Sequence, residues 1–402
     1  MRVVIVGAGP CGAALALALS RAAMPVTLVE AATSFGRSFR GEALMPSGLE
    51  ALERLGLLPL PGTVPQRTLG GWRVAVEGRN LFELAEPLEG PQAQPCTLVS
   101  QPDWLAALLE EAHRPATLTV ELEVAVSDLR RDAHGRVNGL VLADGRELEA
   151  DLVVGCDGRR SLLRRRAGLN LQGAEHPIDV LWFRFDAAAA PLPDPGFTTL
   201  VGPEGLASLF IGAAGQVQLG SAIPPGAPTP QLEGQEWIDR LAAQAPPDLA
   251  AWLRQNSAHL GKPVRFSVQV GLLERWWQPG LLLLGDAAHP MSPVRAQGIN
   301  MALRDAAVTA DTLLSLNTRP AHSPAELDQA LAAIEAVRRP EVAQLQELQA
   351  EELERGALLQ NQPCLRRLLA TAAPVVGGAI GLSWRRQQQR LRHGIAPLPP
   401  QR

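Results

Sequence analysis

The chain contains no tyrosine and a single lysine, Lys262. Chemistry that needs a phenol to polarise a substrate hydroxyl, or a lysine beside a cofactor, must use another group or do without it. Cysteine is sparse as well. Cys11, Cys96, Cys156 and Cys364 have neither metal-binding spacing nor a disulfide framework, which fits a reducing, cytoplasmic setting. Little charge is left over: the formal net charge is −4 over 402 residues. With no basic stripe and no acidic tail, nucleic acid is not an expected partner. No charge-free apolar run reaches the roughly 18 residues of a membrane span, so none is expected. The apolar N-terminus does not read as a signal peptide. Gly7-Ala8-Gly9-Pro10 interrupts it where an export helix would continue, and a second strand follows.

What is present is an ordinary apolar fraction of 46% in a chain long enough for two or three domains. Arg2 to Val6 reads as a buried strand. A tight turn, Gly7-Ala8-Gly9-Pro10-Cys11-Gly12, follows, and then a helix from about Ala13 to Ala22. A second strand, Val26 to Val29, ends in Glu30 and Ala31. This is the dinucleotide fingerprint in its required strand–turn–helix context. Gly7 permits the turn, Gly9 lets backbone approach a pyrophosphate, and Gly12 lets helix and strand pack closely. The helix N-terminus offers N–H groups to phosphate, and Glu30 offers a carboxylate to ribose hydroxyls. The turn alone does not separate NAD from FAD.

Farther on, Ala150 to Gly155 is another buried strand, closing on Cys156-Asp157-Gly158-Arg159-Arg160-Ser161 with Arg164 one helical step later. An Asp at such a turn often serves only the turn, and arginines there can be merely solvated. A third strand, Leu281 to Leu284, ends in Gly285-Asp286. Asp286 then lies at a strand's carboxyl end, where open α/β sheets bind ligands, and is either an acceptor for a sugar-alcohol chain or a helix cap. The stretch Pro293-Val-Arg295-Ala-Gln297-Gly298-Ile299-Asn300 opens a long helix. Its N-terminal dipole would stabilise a reduced flavin by about 0.3–1 kcal/mol.

Between these pieces the character changes. Ile178–Phe185, Thr198–Val201, Ala207–Ile211 and Gln216–Ile223 are short strands separated by Gly/Pro turns, one of them at 190–195, as in an antiparallel sheet. Pro263 to Val270 is a further strand, and after a helix from Gln297 to Leu316 three more helices are expected. The expected class is therefore α/β. A Rossmann-like dinucleotide-binding domain is interrupted by a mostly antiparallel substrate sheet and followed by C-terminal helices. The boundaries are 1–69, 97–175 and 260–340 for the first, 70–96 and 176–259 for the second, and 341–402 for the third.

The three motifs, in this order and spacing, resemble those of the class A flavoprotein monooxygenases, the para-hydroxybenzoate hydroxylase and ubiquinone-biosynthesis hydroxylase family. The likeness covers about residues 1–175 and 260–340. It implies that the first domain is a Rossmann-like FAD-binding domain of the GR2 type holding non-covalent FAD, with reduction by NADPH or NADH without a second Rossmann domain, and a flavin C4a-hydroperoxide that hydroxylates an aromatic or conjugated small molecule. It further implies that Gly7, Ala8, Gly9, Pro10, Cys11, Gly12, Glu30, Ala31 and Val124 surround the ADP half. Arg40 and Gln101 would lie along the pyrophosphate and ribityl chain. Asp157 and Gly158 would contact FAD, with Arg159, Ser161 and Arg164 docking NAD(P)H. Asp286 would bind the ribityl hydroxyls, while Pro293, Gln297, Gly298, Ile299 and Asn300 cover the ring.

The sequence departs from that pattern in two ways. Arg295-Ala296 stands where the family has glycines, and Arg295 is expected to point outward rather than at the flavin. The phenol-activating tyrosine of some members is missing. Arg184, Gln218 and Ser221 lie on the expected substrate sheet, with core or surface roles favoured, and His289 is expected to be structural rather than a base. Related halogenases need a lysine near the flavin, and Lys262 is remote from the segments where it occurs. A reductase of isoprenoids and a non-enzymatic FAD carrier remain as alternatives. The apolar segment 368–384, flanked by arginine pairs, is expected to be a helix packed on the FAD domain rather than an interfacial membrane contact, although Pro374, Gly377, Gly378 and Gly381 weaken it. O2, NAD(P)H and a small molecule are the expected partners, in a monomer or homodimer.

Overall fold

The computed structural model describes residues 1–33, 42–175, 177–186, 189, 192, 196–318 and 323–400. Arg40 and most of the 190–195 turn therefore lie outside the described residues. A six-stranded sheet runs in the order Trp277–Gln278, Leu281–Leu283, Leu152–Gly155, Val3–Val6, Val26–Glu30, Leu118–Leu122. All its pairings are parallel except the first. Parallel strands are covered on both faces, which is why Val3–Val6, Leu152–Gly155 and Leu281–Leu283 are apolar throughout and fully buried. Helices Pro10–Arg21 and Gln101–Ala112 pack on it, and Gln297–Asn317 packs on the first of these helices. Register aligns Val6 with Gly155 and Gly155 with Leu283. Three strand ends, each leading into a glycine turn, therefore meet along one edge.

The second large sheet has seven strands in the order Val264–Ser267, Asp179–Arg184, Val217–Ile223, Gly205–Ile211, Phe197–Gly202, Gly71–Val76, Arg79–Ala85. It is antiparallel apart from the pairing of Phe197–Gly202 with Gly71–Val76. Helices Gly234–Ala243 and Pro247–Gln255 bury Trp237, Ile238, Leu249 and Leu253 against it. The expected boundary at 260 falls too early. Val264–Ser267 pairs with Asp179–Trp182 as an edge strand of this sheet, because its exposed Val264 and Ser267 suit an edge and not a buried parallel strand.

The C-terminal segment also departs from expectation. Two helices, Pro324–Asn361 and Pro363–His393, follow among the described residues, and the boundary at 341 falls inside the first. Pro340 does not break it, since Arg338, Glu341, Val342 and Leu345 are buried on either side and hold both halves to the core. The second helix runs through Pro374 and packs on the seven-stranded sheet rather than on the six-stranded one. Its glycines form the contact face. A Cβ on Gly377 would sit 2.0 Å from the Leu81 carbonyl oxygen, and one on Gly381 3.1 Å from Phe82 Cβ. Ala370 and Ala373 continue this small-residue face, while Leu368, Val375 and Leu382 are exposed on the other side. By length and composition this helix would suffice to cross a membrane; here its inner face is occupied by the sheet.

A buried charge network fixes the long helices beneath the third glycine turn. Asp305, fully buried on the Gln297–Asn317 helix, accepts from the Gly285 N–H at 3.0 Å and lies 2.6 Å from His289 Nε2. Its other oxygen accepts from Arg338 Nε at 2.8 Å. Arg338 also pairs with Glu341, which Arg304 reaches at 3.1 Å. Burial pushes the Asp305 carboxyl up, but His289 and the Arg338 guanidinium outweigh it and hold it below the usual carboxylate range. An ionised carboxylate cannot donate, so His289 Nε2 carries the proton of that contact, and the ring stacks on Trp276 at 4.8 Å. His289 is thus a structural residue.

Two outcomes follow from this packing. Asp305→Asn leaves Arg338 buried and half-paired and is expected to cost about 3–5 kcal/mol, read as a lowered urea midpoint. Because the folded carboxyl is depressed, its contribution is present above the unfolded value of ~3.9 and is lost as pH falls through the folded value; the variant should show a shallower acid dependence. Gly377→Val should lower the melting temperature despite its gain in helix propensity, since the neighbour it meets is backbone and cannot turn aside.

Candidate active site

At the first strand end Gly7 takes φ +98°, and a Cβ there would lie 2.4 Å from the Cys156 carbonyl oxygen. A Cβ on Gly12 would lie 2.0 Å from the Gly7 oxygen. Both glycines are required by close backbone approach. Gly9 differs: a Cβ on it would enter open space at the head of the Pro10–Arg21 helix, the place where a phosphate would meet the N–H groups. Glu30 closes the turn from below, accepting from Ala8 N at 2.8 Å and from Ala32 N at 2.8 Å. A carboxylate has about four lone-pair sites, so acceptor capacity remains for ribose hydroxyls. Ala31 is exposed next to it, and Val124 N–H donates to the Glu30 carbonyl at 3.1 Å. Gln101 is buried as the first residue of its helix.

At the second strand end Asp157 Oδ2 accepts from Leu162 N at 2.7 Å and Leu163 N at 3.1 Å, while Oδ1 is buried with no described partner. Gly158 has φ +76°. Ser161 caps the Leu162–Arg166 helix by accepting from Arg164 N at 2.9 Å. Arg164 is buried and donates to the carbonyls of Ala287 at 2.9 Å and Arg159 at 2.7 Å, so it ties the second turn to the third. Burial holds its guanidinium below the ordinary arginine range. Of the three residues expected at an NAD(P)H dock, only Arg159 keeps an exposed side chain, and it reaches Asp286 Oδ2 at 3.1 Å.

The third turn leads into the Ser292–Asn300 loop. Asn300 clamps it: Oδ1 accepts from Met45 N at 2.8 Å, and Nδ2 donates to the carbonyls of Ala296 at 2.8 Å and Ala43 at 3.2 Å. Gln349, from the Pro324–Asn361 helix, donates to the carbonyls of Ser292 and Val294. Gln297 is buried, with Nε2 on the Arg295 carbonyl and Oε1 without a described partner. A Cβ on Gly298 would meet only Asp286 Oδ1, at 3.8 Å.

Arg295 and Ala296 are both left-handed, at φ 57° and 52°. That explains why glycine is favoured here, since each non-glycine residue costs on the order of 1 kcal/mol in this region. The cost is offset by what Arg295 binds. It does not point outward. Its guanidinium lies 4.7 Å from the Trp384 ring centroid and 5.3 Å from that of Trp72, and Nε donates to Glu352 at 2.8 Å. Burial pushes the Glu352 carboxyl up, but Arg295 beside it draws it below the usual range.

Around this loop stands a box of apolar rings. Trp72 packs on Phe197 at 5.4 Å and Trp384 at 5.9 Å. Phe197 stacks on Phe210 at 5.2 Å, and Trp182 meets Phe210 edge-on at 6.0 Å. Met45 and Ala213 complete the cluster. Gln218 is buried between Trp182 Nε1 at 3.0 Å and Glu42 Oε1 at 2.9 Å; Ser221 is buried on the same strand, and Arg184 is half-buried at the neighbouring strand's end. Trp72, Trp384, Gln349, Glu352 and Glu42 were not anticipated. The signal available was Arg295-Ala296 itself: two residues where glycine belongs call for a compensating partner.

The residues fit FAD. Buried Asp157 Oδ1 and Gln297 Oε1 lack described partners, a Cβ on Gly9 would meet nothing within 4 Å, and one on Gly298 would meet only Asp286 Oδ1 at 3.8 Å.

Residues 1–342 match the family described as FAD binding domain. The chain is 34% identical over 345 residues to 6-methylpretetramide 4-monooxygenase of Streptomyces rimosus, covering 84% of this chain and 80% of that protein. It is 30% identical over 357 residues to ubiquinone hydroxylase UbiL of Rhodospirillum rubrum, covering 84% and 78%. Among solved structures, P. aeruginosa PqsL in complex with 2-aminobenzoylacetate superposes with a TM-score of 0.75 at 26% identity, covering 92% of this chain and 98% of that one. The chain therefore belongs to the FAD-binding family of class A flavoprotein monooxygenases.

Proposed function

We propose that this enzyme is a cytoplasmic, NAD(P)H-dependent monooxygenase that hydroxylates an aromatic or conjugated small molecule held against the box of Trp72, Trp182, Phe197, Phe210 and Trp384. The observation that carries the reading is the position of that box. Two of its rings, Trp72 and Trp384, hold Arg295 of the Pro293–Gln297 loop, whose Ala296 carbonyl accepts from Asn300 on the helix that Asp305 ties to the third glycine turn. Bound FAD supplies the electron transfer from NAD(P)H and the activation of O2. The protein's own part is binding, orientation and exclusion of water. Gly7, Gly9, Gly12 and Glu30 would hold the ADP half, Asp157 the dinucleotide near the second turn, and Asp286 the ribityl hydroxyls. The first turn of the Gln297–Asn317 helix would face the flavin's electron-rich edge. The rings give a planar substrate apolar area and edge or face contacts worth about 0.5–1.5 kcal/mol each. Arg159, exposed beside the second turn, is the cation suited to the nicotinamide nucleotide. Four unpaired cysteines agree with a reducing compartment.

With phenol, 2-naphthol, 1-hydroxyanthracene and hydroquinone as trial substrates, at least one should stimulate NAD(P)H consumption several-fold. One atom of 18O2 should then appear in the product; stimulated oxidation yielding peroxide alone, with every ring returned unchanged, counts against hydroxylation. Asp286→Ala should purify with at least tenfold less flavin than wild type, judged by the visible absorbance per protein. A variant retaining full flavin would discredit the ribityl assignment.

A further inference from the structure

The chain must handle a substrate hydroxyl without tyrosine, and the described residues offer one group placed to do it. We infer that Glu42 is the proton acceptor for a ring hydroxyl of the substrate. This rests on the ring-hydroxylation reading above. The Glu42 carboxylate is half-buried at the rim of the aromatic box. Oε1 accepts from Gln218 Nε2 at 2.9 Å, and Oε2 accepts from Ala213 N–H at 2.9 Å. Gln218 is itself held by Trp182 Nε1 at 3.0 Å, and Ala213 packs in the same cluster as Met45, Trp72 and Phe210. The carboxylate is therefore oriented by two donors attached to the box wall, and each of its oxygens has a lone pair left.

Other candidates around the box are already committed. Glu86 and Glu89 are held by Arg392, and Glu352 by Arg295. Among the described residues no cation pairs with Glu42. The Cys96 thiol, fully buried in the same cluster, is pushed up to about 12 by burial and stays protonated. His289 lies under the third glycine turn, and His259 and His393 are paired with Asp186 and Glu89.

The chemistry suits a carboxylate. A free phenol, with a pK of about 10, does not surrender its proton to a carboxylate in the ground state. Delivery of one oxygen atom forms a C–O bond as the O–O bond of the activated oxygen breaks and its second atom leaves to become water; the ring carbons lose electron density and the hydroxyl becomes strongly acidic. The O–H bond then breaks, its electron pair forms a ring carbonyl, and the proton passes to Glu42; loss of the hydrogen on the attacked carbon and return of a proton to the carbonyl oxygen restore the aromatic ring. Before that point the carboxylate accepts a hydrogen bond and raises the electron density at the attacked carbon. Proton transfer by a positioned group contributes about 10²–10⁴-fold.

The test uses the FAD-loaded enzyme and the ring that serves best among the trial substrates, in three forms: the phenol, its O-methyl ether, and a fluorinated analogue whose hydroxyl ionises near neutrality. Glu42→Gln should lower kcat for product formation with the ordinary phenol by about 10²-fold or more, with flavin content kept and KM changed by less than about fivefold. The fluorinated phenol should restore most of that loss, and the methyl ether should react equally poorly with both proteins. Glu42→Asp, which keeps the carboxylate, should retain a tenth or more of kcat and the wild-type preference among the three forms, and serves where the Gln variant folds poorly. An unchanged kcat in Glu42→Gln, an equal loss with ordinary and fluorinated phenols, or a Glu42→Asp as impaired as the Gln variant would overturn the assignment. If wild type hydroxylates none of the rings, the reading of the function fails instead.

Discussion

Everything at this site depends on backbone approaching backbone where three parallel strands end. Gly7 lies against the Cys156 carbonyl and Gly12 against the Gly7 carbonyl, at separations no side chain would permit. The strands themselves are uniformly apolar because both faces of their sheet are covered. Once Val6, Gly155 and Leu283 are in register, the turns after them have only one place to go. Arg164 then spans from the second turn to the third, and Asp305 joins the third turn to two helices. The carboxylates of Glu30, Asp157 and Asp286 are passengers on this edge; their positions are consequences of strand register.

The Pro293–Gln297 loop shows a different kind of dependence. Its left-handed residues are held from outside, by Gln349 and Glu352 on one C-terminal helix and Trp384 on the other. The C-terminal helices therefore set the shape of this loop. The glycine face of the last helix sets how closely it meets the seven-stranded sheet, and so where Trp384 lies relative to Trp72. Strain in the loop, a cation between two rings, and a small-residue helix face form one mechanical unit.

The nucleotide half was legible because its rules are local. Gly7, Gly12 and Glu30 act within one strand–turn–helix unit, and spacing along the chain is spacing in space. Hydrophobic runs likewise announced the buried parallel strands. The substrate half was far less legible. Val264–Ser267 reads as a strand in either sheet, and only its partner Asp179–Trp182 assigns it. Gly377 and Gly381 read as helix breakers until the Leu81 carbonyl and the Phe82 side chain explain them. Arg295 read as solvated because Glu352, Trp72 and Trp384 are remote in sequence.

The sequence by itself determined the chemical class of the cofactor, the order of the three turns, and the absence of any tyrosine to activate a ring hydroxyl. Each is a matter of residue identity or of short-range spacing. Tertiary structure alone decided which way Arg295 faces, that the last helix brings Trp384 against Arg295 and Trp72, and that the Glu42 carboxylate meets Gln218 and Ala213 beside the aromatic cluster. Those contacts join segments separated by tens to hundreds of residues, and they are selected by packing shape and by the need to pair buried charge, neither of which leaves a periodic mark on the chain.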